Sequence, residues 1–181
     1  MVKNGINVKR WNKMLGLPKG EVFLVPWTEE WNKEFLLEKE KMQDKIGEYI
    51  MDIHHIGSTS VKHLSAKPII DIAIEIKDFN DGGTTSSSLE ELGYSYKGTN
   101  ILPDRHYFSK GEPRTHQIHM YQCGNKYLLE QLKYRDYLRD NDEARIEYEQ
   151  LKLNLAKLNK NNKHKYAEEK TAFVKSILEK I

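Results

Sequence analysis

The seven residues Ile70-Asp71-Ile72-Ala73-Ile74-Glu75-Ile76 restrict the fold of this chain more than any other stretch. Side chains of a strand alternate between its two faces. Ile70, Ile72, Ile74 and Ile76 then share a face that belongs in a core, while Ile69, Asp71, Ala73 and Glu75 share the other. A carboxylate in the middle of an apolar strand is costly to bury unless it is paired, hydrogen-bonded or metal-bound. Asp71 is therefore a candidate functional acid. A plain cap or ion-pair role beside the preceding turn is the alternative.

That turn is Gly57-Ser58-Thr59-Ser60, reached through an expected first central strand over Tyr49 to His55. Glycine permits close backbone approach, and the amides of 58–61 are expected to open a helix. A helix N-terminus is a natural anion site, because its amides lack internal acceptors and the dipole is positive there. Ser58, Thr59 and Ser60 add hydroxyl groups, although serines and threonines are also ordinary caps. Lys67, just before the acid-bearing strand, is placed either to reach a phosphate or to lie exposed.

Length and composition frame this centre. At 181 residues the chain fits one domain. It divides into an N-terminal helical segment over 1–20, a core over 21–123 and a C-terminal helical part of the same domain over 124–181. A formal charge of +2 gives no large field, so neither nucleic acid nor a membrane surface is an expected partner. No run reaches the length of a membrane span, and the first residues lack a secretory apolar core. The lone Cys123 excludes an internal disulfide. The expected location is cytoplasmic.

Around the centre the elements read in order. Trp11, Met14, Leu15 and Leu17 make a short helical face ended by Pro18 and Gly20, and Glu21 to Val25 a brief edge segment. Thr28 has the place of an N-cap for a helix to about Ile46, anchored by Trp31, Phe35 and Met42 with a solvated Lys/Glu face. Asp78 to Ser88 is glycine-, serine- and threonine-rich and reads as a flexible surface loop, before a short helix over Leu89 to Leu92 and a short strand at Tyr94 to Lys97. Arg105 to Lys110 and Arg114 to Tyr121 form a hairpin. Its second strand turns Ile118 and Met120 to the core, and Gln117, His119 and Tyr121 the other way. Arg105, His106 and Arg114 could join Lys67 in one positive wall, or be scattered surface cations. After Gly124 three helices follow, the second capped by Asn141 or Asp142 and carrying Ala144, Tyr148, Leu151, Leu155 and Leu158 on one face. Arg135 falls on the apolar side of the first and needs a partner, which a phosphate, Asp71 or a structural acid would each supply.

The run His55-Ile56-Gly57-Ser58-Thr59-Ser60-Val61, followed by Ala66-Lys67-Pro68-Ile69-Ile70-Asp71, resembles the GrpB (glutamate-rich protein B) family of the nucleotidyltransferase-fold superfamily. The likeness continues through Gly93-Tyr94, Thr115-His116-Gln117-Ile118-His119, Arg135-Asp136-Tyr137-Leu138-Arg139 and Tyr148-x-x-Leu151-Lys152, covering about 22–178. The superfamily pattern is Gly-Ser, a short helix, then Asp-x-Asp or Asp-x-Glu on the next strand. The chain departs from it at Ala73, where the second acid would stand, and Lys62-His63 replaces the family's Pro-Gly. Glu75 is a poor substitute, since it lies roughly 13 Å from Asp71 along the strand against about 6.6 Å for position 73.

The resemblance implies an α/β (α+β) nucleotidyltransferase-like fold, a small mixed sheet with helices packed on it and a C-terminal helical extension. It implies a nucleoside triphosphate or phosphorylated small molecule as partner and Mg2+ or Mn2+ as cofactor, with nucleotidyl transfer to a small acceptor. Asp71 and His119 would be catalytic and Asp71 the metal ligand. Gly57, Ser58, Thr59, Ser60, Lys67 and Arg135 would hold the phosphates. The resemblance to a His-x-x-His pattern favours His119, while His116 points to the apolar face and is expected to be structural. A single-metal site, or one completed from another strand, remains compatible with Ala73. The alternative is a non-catalytic binding module for a nucleotide or coenzyme A-related phosphometabolite. That fits the occurrence of such domains joined to dephospho-coenzyme A kinases. A third reading is a protein-interaction partner using the N-terminal helix.

Overall fold

Five strands form one mixed sheet in the computed structural model, which describes residues 15–102, 104–160 and 162–181. They are β1 (Ile50–Ile56), β2 (Ile70–Ile76), β3 (Tyr94–Tyr96), β4 (His106–Lys110) and β5 (His116–Gln122), in spatial order β1-β2-β5-β4-β3. β2 and β5 run parallel, and the other neighbours are antiparallel. The helices are α1 (Glu30–Ile46), α2 (Asp81–Thr84), α3 (Ser86–Glu91), α4 (Lys126–Asp140), α5 (Asp142–Leu158) and α6 (Lys163–Leu178).

The isoleucine alternation on β2 decides the layering. Ile70, Ile72, Ile74 and Ile76 are fully buried and pack with Trp31, Phe35, Met42 and Ile46 of α1 and Leu89 of α3. Each such side chain contributes about 1.5–3 kcal/mol on burial. The opposite face carries Ile56, Ala73 and Tyr121, which cluster with Leu128 of α4. Beyond them Val61 and Leu64 pack with Leu138, Ala144 and Tyr148 of α4 and α5. Asn125, Asn141 and Asn162 cap α4, α5 and α6 by accepting from amides two or three residues on. The mixed α/β architecture with a small sheet and a C-terminal helical segment agrees with the sequence-based expectation.

Three local expectations are corrected. Residues 58–61 open no helix beyond a single 3-10 turn at Ser58–Ser60. Backbone groups that a helix would pair internally are claimed elsewhere: Ser65 N donates to Glu149, and Lys152 donates to Ser65 O. The stretch 78–88 is no flexible loop, because α2 and the first half of α3 lie in it. Gly82 presses on the His106 ring, the Thr85 hydroxyl donates to Gly82 O at 3.0 Å, and both residues are buried. Tertiary contacts thus override a turn-like composition. Of the expected N-terminal helical face, Trp11 and Met14 lie outside the described residues. Leu15 packs on the core, and Leu17 bridges to Arg114 as extended backbone.

Candidate functional site

The turn and the acid meet directly. Asp71 stands opposite Ile56 on β1, so the chain leaving β1 passes the carboxylate. Gly57 sits at φ 70°, and a Cβ there would lie 2.6 Å from Asp71 Oδ2. No other residue fits that approach without displacing the carboxylate. The Asp71 side chain remains 27% exposed, so it is open to a ligand.

His119 joins them through the parallel pairing of β2 with β5. Its Nε2 lies 3.5 Å from Asp71 Oδ1. Arg105 Nη1 is 2.9 Å from His119 Nδ1, and a guanidinium can only donate. Nδ1 therefore accepts, which places the ring proton on Nε2, facing Asp71. Tyr107 and Arg114 complete this corner, with Arg114 Nη1 donating to the Tyr107 hydroxyl at 3.4 Å. His106 does not belong to a positive wall here: it is buried on the opposite side, with Nε2 2.7 Å from Phe79 O.

The hydroxyls of the turn differ. Ser60 donates to Gly57 O at 2.6 Å, and Thr59 Oγ1 lies 3.0 Å from the Nε2 of buried His55. Burial lowers His55 to about 4, so that ring is neutral. Ser58 is half-buried and lines a cavity of about 630 Å³ between this face of the sheet and α4–α6. Gly57, Thr59, Lys67, Asp71 and Arg135 line the same cavity, and Ser60 does not. Arg135 finds neither Asp71 nor an open role for its whole fork. Its Nε and Nη2 hold Asp136 at 2.7 and 3.0 Å, and Nη1 donates to His55 O at 3.0 Å. Arg139 grips Ser60 O with two nitrogens at 3.1 and 2.8 Å. α4 thus clamps the turn from outside.

Lys67 lies over the Tyr166 ring, 4.3 Å from its centroid, and burial followed by the Lys170 charge lowers it to about 8. Lys152 is more extreme. It is 1% exposed, with burial and then Lys170 lowering it to about 7. Ala73 is fully buried against Tyr121 and Leu128, so the position of a second acid is sealed by packing. Glu75 is committed to His54, Oε1 to Nε2 2.8 Å.

A family model described as GrpB protein matches residues 21–180. The chain belongs to the GrpB family. It is 37% identical over 171 residues to the glutamate-rich protein GrpB of Alkalihalophilus pseudofirmus, covering 91% of this chain and 98% of that one. It is likewise 37% identical over 163 residues to the YqkA protein of Bacillus subtilis, covering 90% of this chain but only 48% of that relative. The chain thus spans about half the length of YqkA. The crystal structure of the conserved protein GrpB from Enterococcus faecalis superposes with a TM-score of 0.82 at 34% identity, covering 87% of this chain and 96% of that chain.

Two places in this GrpB-family chain offer metal ligands. Magnesium is commonly held by one or two carboxylates, water and phosphate oxygens, a pattern that Asp71 at the wall of this cavity fits. His119 Nε2, bearing its proton, is not a ligand in that tautomer. On the other face Glu34, Glu38 and His116 bring three potential donor atoms within 4.8 Å of one another, a set that could coordinate a divalent ion. Burial lowers His116 to about 4, leaving a neutral imidazole. Glu38 there already accepts from Lys41, Lys110 and Tyr94, which an ion would have to displace. No helix among the described residues is long and apolar enough to cross a membrane.

Sequence reasoning overlooked Lys152, Tyr134 and Glu149. Lys152 falls four residues after Tyr148 and eight after Ala144, so a cation on the apolar stripe of α5 was a legible flag. Tyr134, with a buried hydroxyl that has no hydrogen-bond partner among the described residues, gave no comparable signal.

Proposed function

We propose that this GrpB-family protein binds a nucleoside triphosphate with a divalent metal in the cavity beside Asp71, and transfers its nucleotidyl group to a small acceptor. The nucleotidyltransferase-like fold implied by the sequence belongs to this reading. One observation carries it: Gly57, Ser58, Lys67, Asp71 and Arg135, drawn from four separate stretches of chain, line a single cavity. Ser58 and Lys67 face the phosphates, and the two Arg135 bonds to Asp136 orient the guanidinium at the rim. A magnesium ion held by Asp71 would neutralise charge on the reacting phosphate. The acceptor hydroxyl bonds to the α-phosphorus, the α–β bridging bond breaks, and pyrophosphate leaves with the electron pair. The hydroxyl proton passes to solvent water, while Asp71 stays ionised toward the metal, the His119 Nε2–H steadies its other oxygen and Arg105 holds the imidazole tautomer.

The second reading, a non-catalytic holder of a nucleotide or coenzyme A-related phosphometabolite, is favoured by the sealed Ala73 position. Calorimetric titration with ATP and GTP, followed by a pyrophosphate-release assay with magnesium and a panel of small hydroxyl acceptors, separates the two. Transfer predicts release that falls at least about 100-fold in Asp71→Asn. Tight nucleotide binding with no pyrophosphate from any acceptor selects the binding module. No binding of either nucleotide overturns both.

A further inference from the structure

We infer that Lys67, Lys152 and Lys170 form a polyanion subsite in this cavity, which holds the di- or triphosphate end of the ligand from the helical side. The inference rests on the cavity reading above and assigns to α5 and α6 a part that the turn at 57–60 would otherwise play alone.

Three ammonium groups from three elements, the loop before β2, α5 and α6, line one cavity whose other walls include Leu138, Tyr148 and Tyr166. Among the described residues none of them has a carboxylate oxygen within 4.0 Å. Residues 1–14, 103 and 161 contain no Asp or Glu that could supply one. Lys152 donates to Ser65 O and lies 4.9 Å from the Tyr148 ring centroid, which leaves ammonium protons without a charged acceptor. Glu149, its nearest acid by charge effect, spends a carboxylate oxygen on Ser65 N at 2.9 Å.

The electrostatics agree with that geometry. The groups acting on Lys152 are Lys170 and Lys67, which disfavour its charge, and Glu149, which favours it. Those acting on Lys67 are Lys170, Arg114 and Lys163 against Asp71 alone. Buried charge without compensation is costly. A ligand carrying several negative charges is the chemistry that offsets three converging cations at once, and a single carboxylate is not. A purely mechanical role, Lys152 tying the loop at Ser65 to α5, accounts for one bond of one lysine. It leaves Lys67 and Lys170 facing the same space without a reason.

Titration calorimetry with inorganic triphosphate and with ATP, on the wild-type chain and on Lys152→Met, Lys170→Gln and Asp71→Asn, tests the subsite. Both lysine variants should bind either ligand about tenfold more weakly. Asp71→Asn removes a negative charge from the same cavity and should bind metal-free inorganic triphosphate more tightly than wild type, not more weakly. Lys170 is only half-buried, so Lys170→Gln keeps the test decisive even if Lys152→Met does not fold. At about pH 8, binding to wild type should take up protons, seen as a buffer-dependent heat that Lys152→Met reduces. Wild-type ATP affinity in both lysine variants overturns the subsite and leaves the cavity reading standing. Triphosphate binding without ATP binding sustains the subsite and removes the nucleotide. Failure of both ligands on wild type overturns both.

Discussion

Glu38 on one side of the sheet and Lys152 on the other are equally hidden from solvent, 0% and 1% exposed, yet their surroundings differ in kind. Glu38 accepts from Tyr94 at 2.7 Å, Lys41 at 2.7 Å and Lys110 at 3.0 Å. Burial opposes its ionisation, but those three donors outweigh it and hold the carboxyl at about 2. Lys152 has a carbonyl and an aromatic face, and no facing carboxylate. The first charge is closed within the protein and stabilises the packing of α1 on β3 and β4. The second is open toward a cavity. Burial alone does not mark a binding group; burial without compensation does.

The largest effect that can break this contrast is on the closed side. Glu38→Ala leaves the Lys110 ammonium and the Tyr94 hydroxyl without their shared acceptor, and should cost about 3–5 kcal/mol in urea unfolding. A loss below about 1 kcal/mol would show that the network is ornamental. Next comes Gly57→Ala on the open side. A methyl group there meets Asp71 Oδ2 at 2.6 Å and the backbone sits at φ 70°. The strain should cost about 1–3 kcal/mol and weaken ligand binding by turning the carboxylate away. A crystal structure of the variant with Asp71 unmoved would contradict the proposed close fit.

A smaller effect distinguishes the two charges by pH. The folded-state value of Glu38 lies below its ordinary 4.5, so its contribution is present above about pH 4.5 and is lost as pH falls toward about 2. Lys152 lies at about 7 against an ordinary 10.5, so between those values the unfolded chain holds the extra proton and stability climbs with pH. Lys67, at about 8, adds the same sign over a narrower range. Unfolding free energies measured across that alkaline window should rise less steeply in Lys152→Met, with the Lys67 share remaining. An unchanged slope would mean that Lys152 is not the buried cation described here. Smallest is the effect of Lys152→Met on stability near neutral pH, expected within about 1 kcal/mol of wild type, or favourable, as an apolar side chain of similar length replaces an uncompensated charge.

The helix at 30–46, the β2 alternation and the hairpin follow from spacing that repeats within a few residues, so they were readable before any coordinates. The segment 81–88 was not, because its helical turns depend on Gly82 meeting His106, a contact with a distant part of the chain. Glu38 was read as part of a solvated face, since nothing near it in sequence announces Tyr94 or Lys110. The positions of Asp71 and Gly57 were legible as a pair. Their contact, the tautomer that Arg105 imposes on His119, and the sealing of Ala73 were not.

By itself, then, the amino-acid order determined which faces of the long helices and of β2 are apolar and which family the chain joins, because those depend on local periodicity and short motifs. Only the tertiary structure decided which charges are closed and which stay open. The donor that completes Glu38 lies 72 residues away and the carbonyl that meets Lys152 lies 87 residues away. Electrostatic compensation is a property of neighbours in space, and no period in the sequence encodes it.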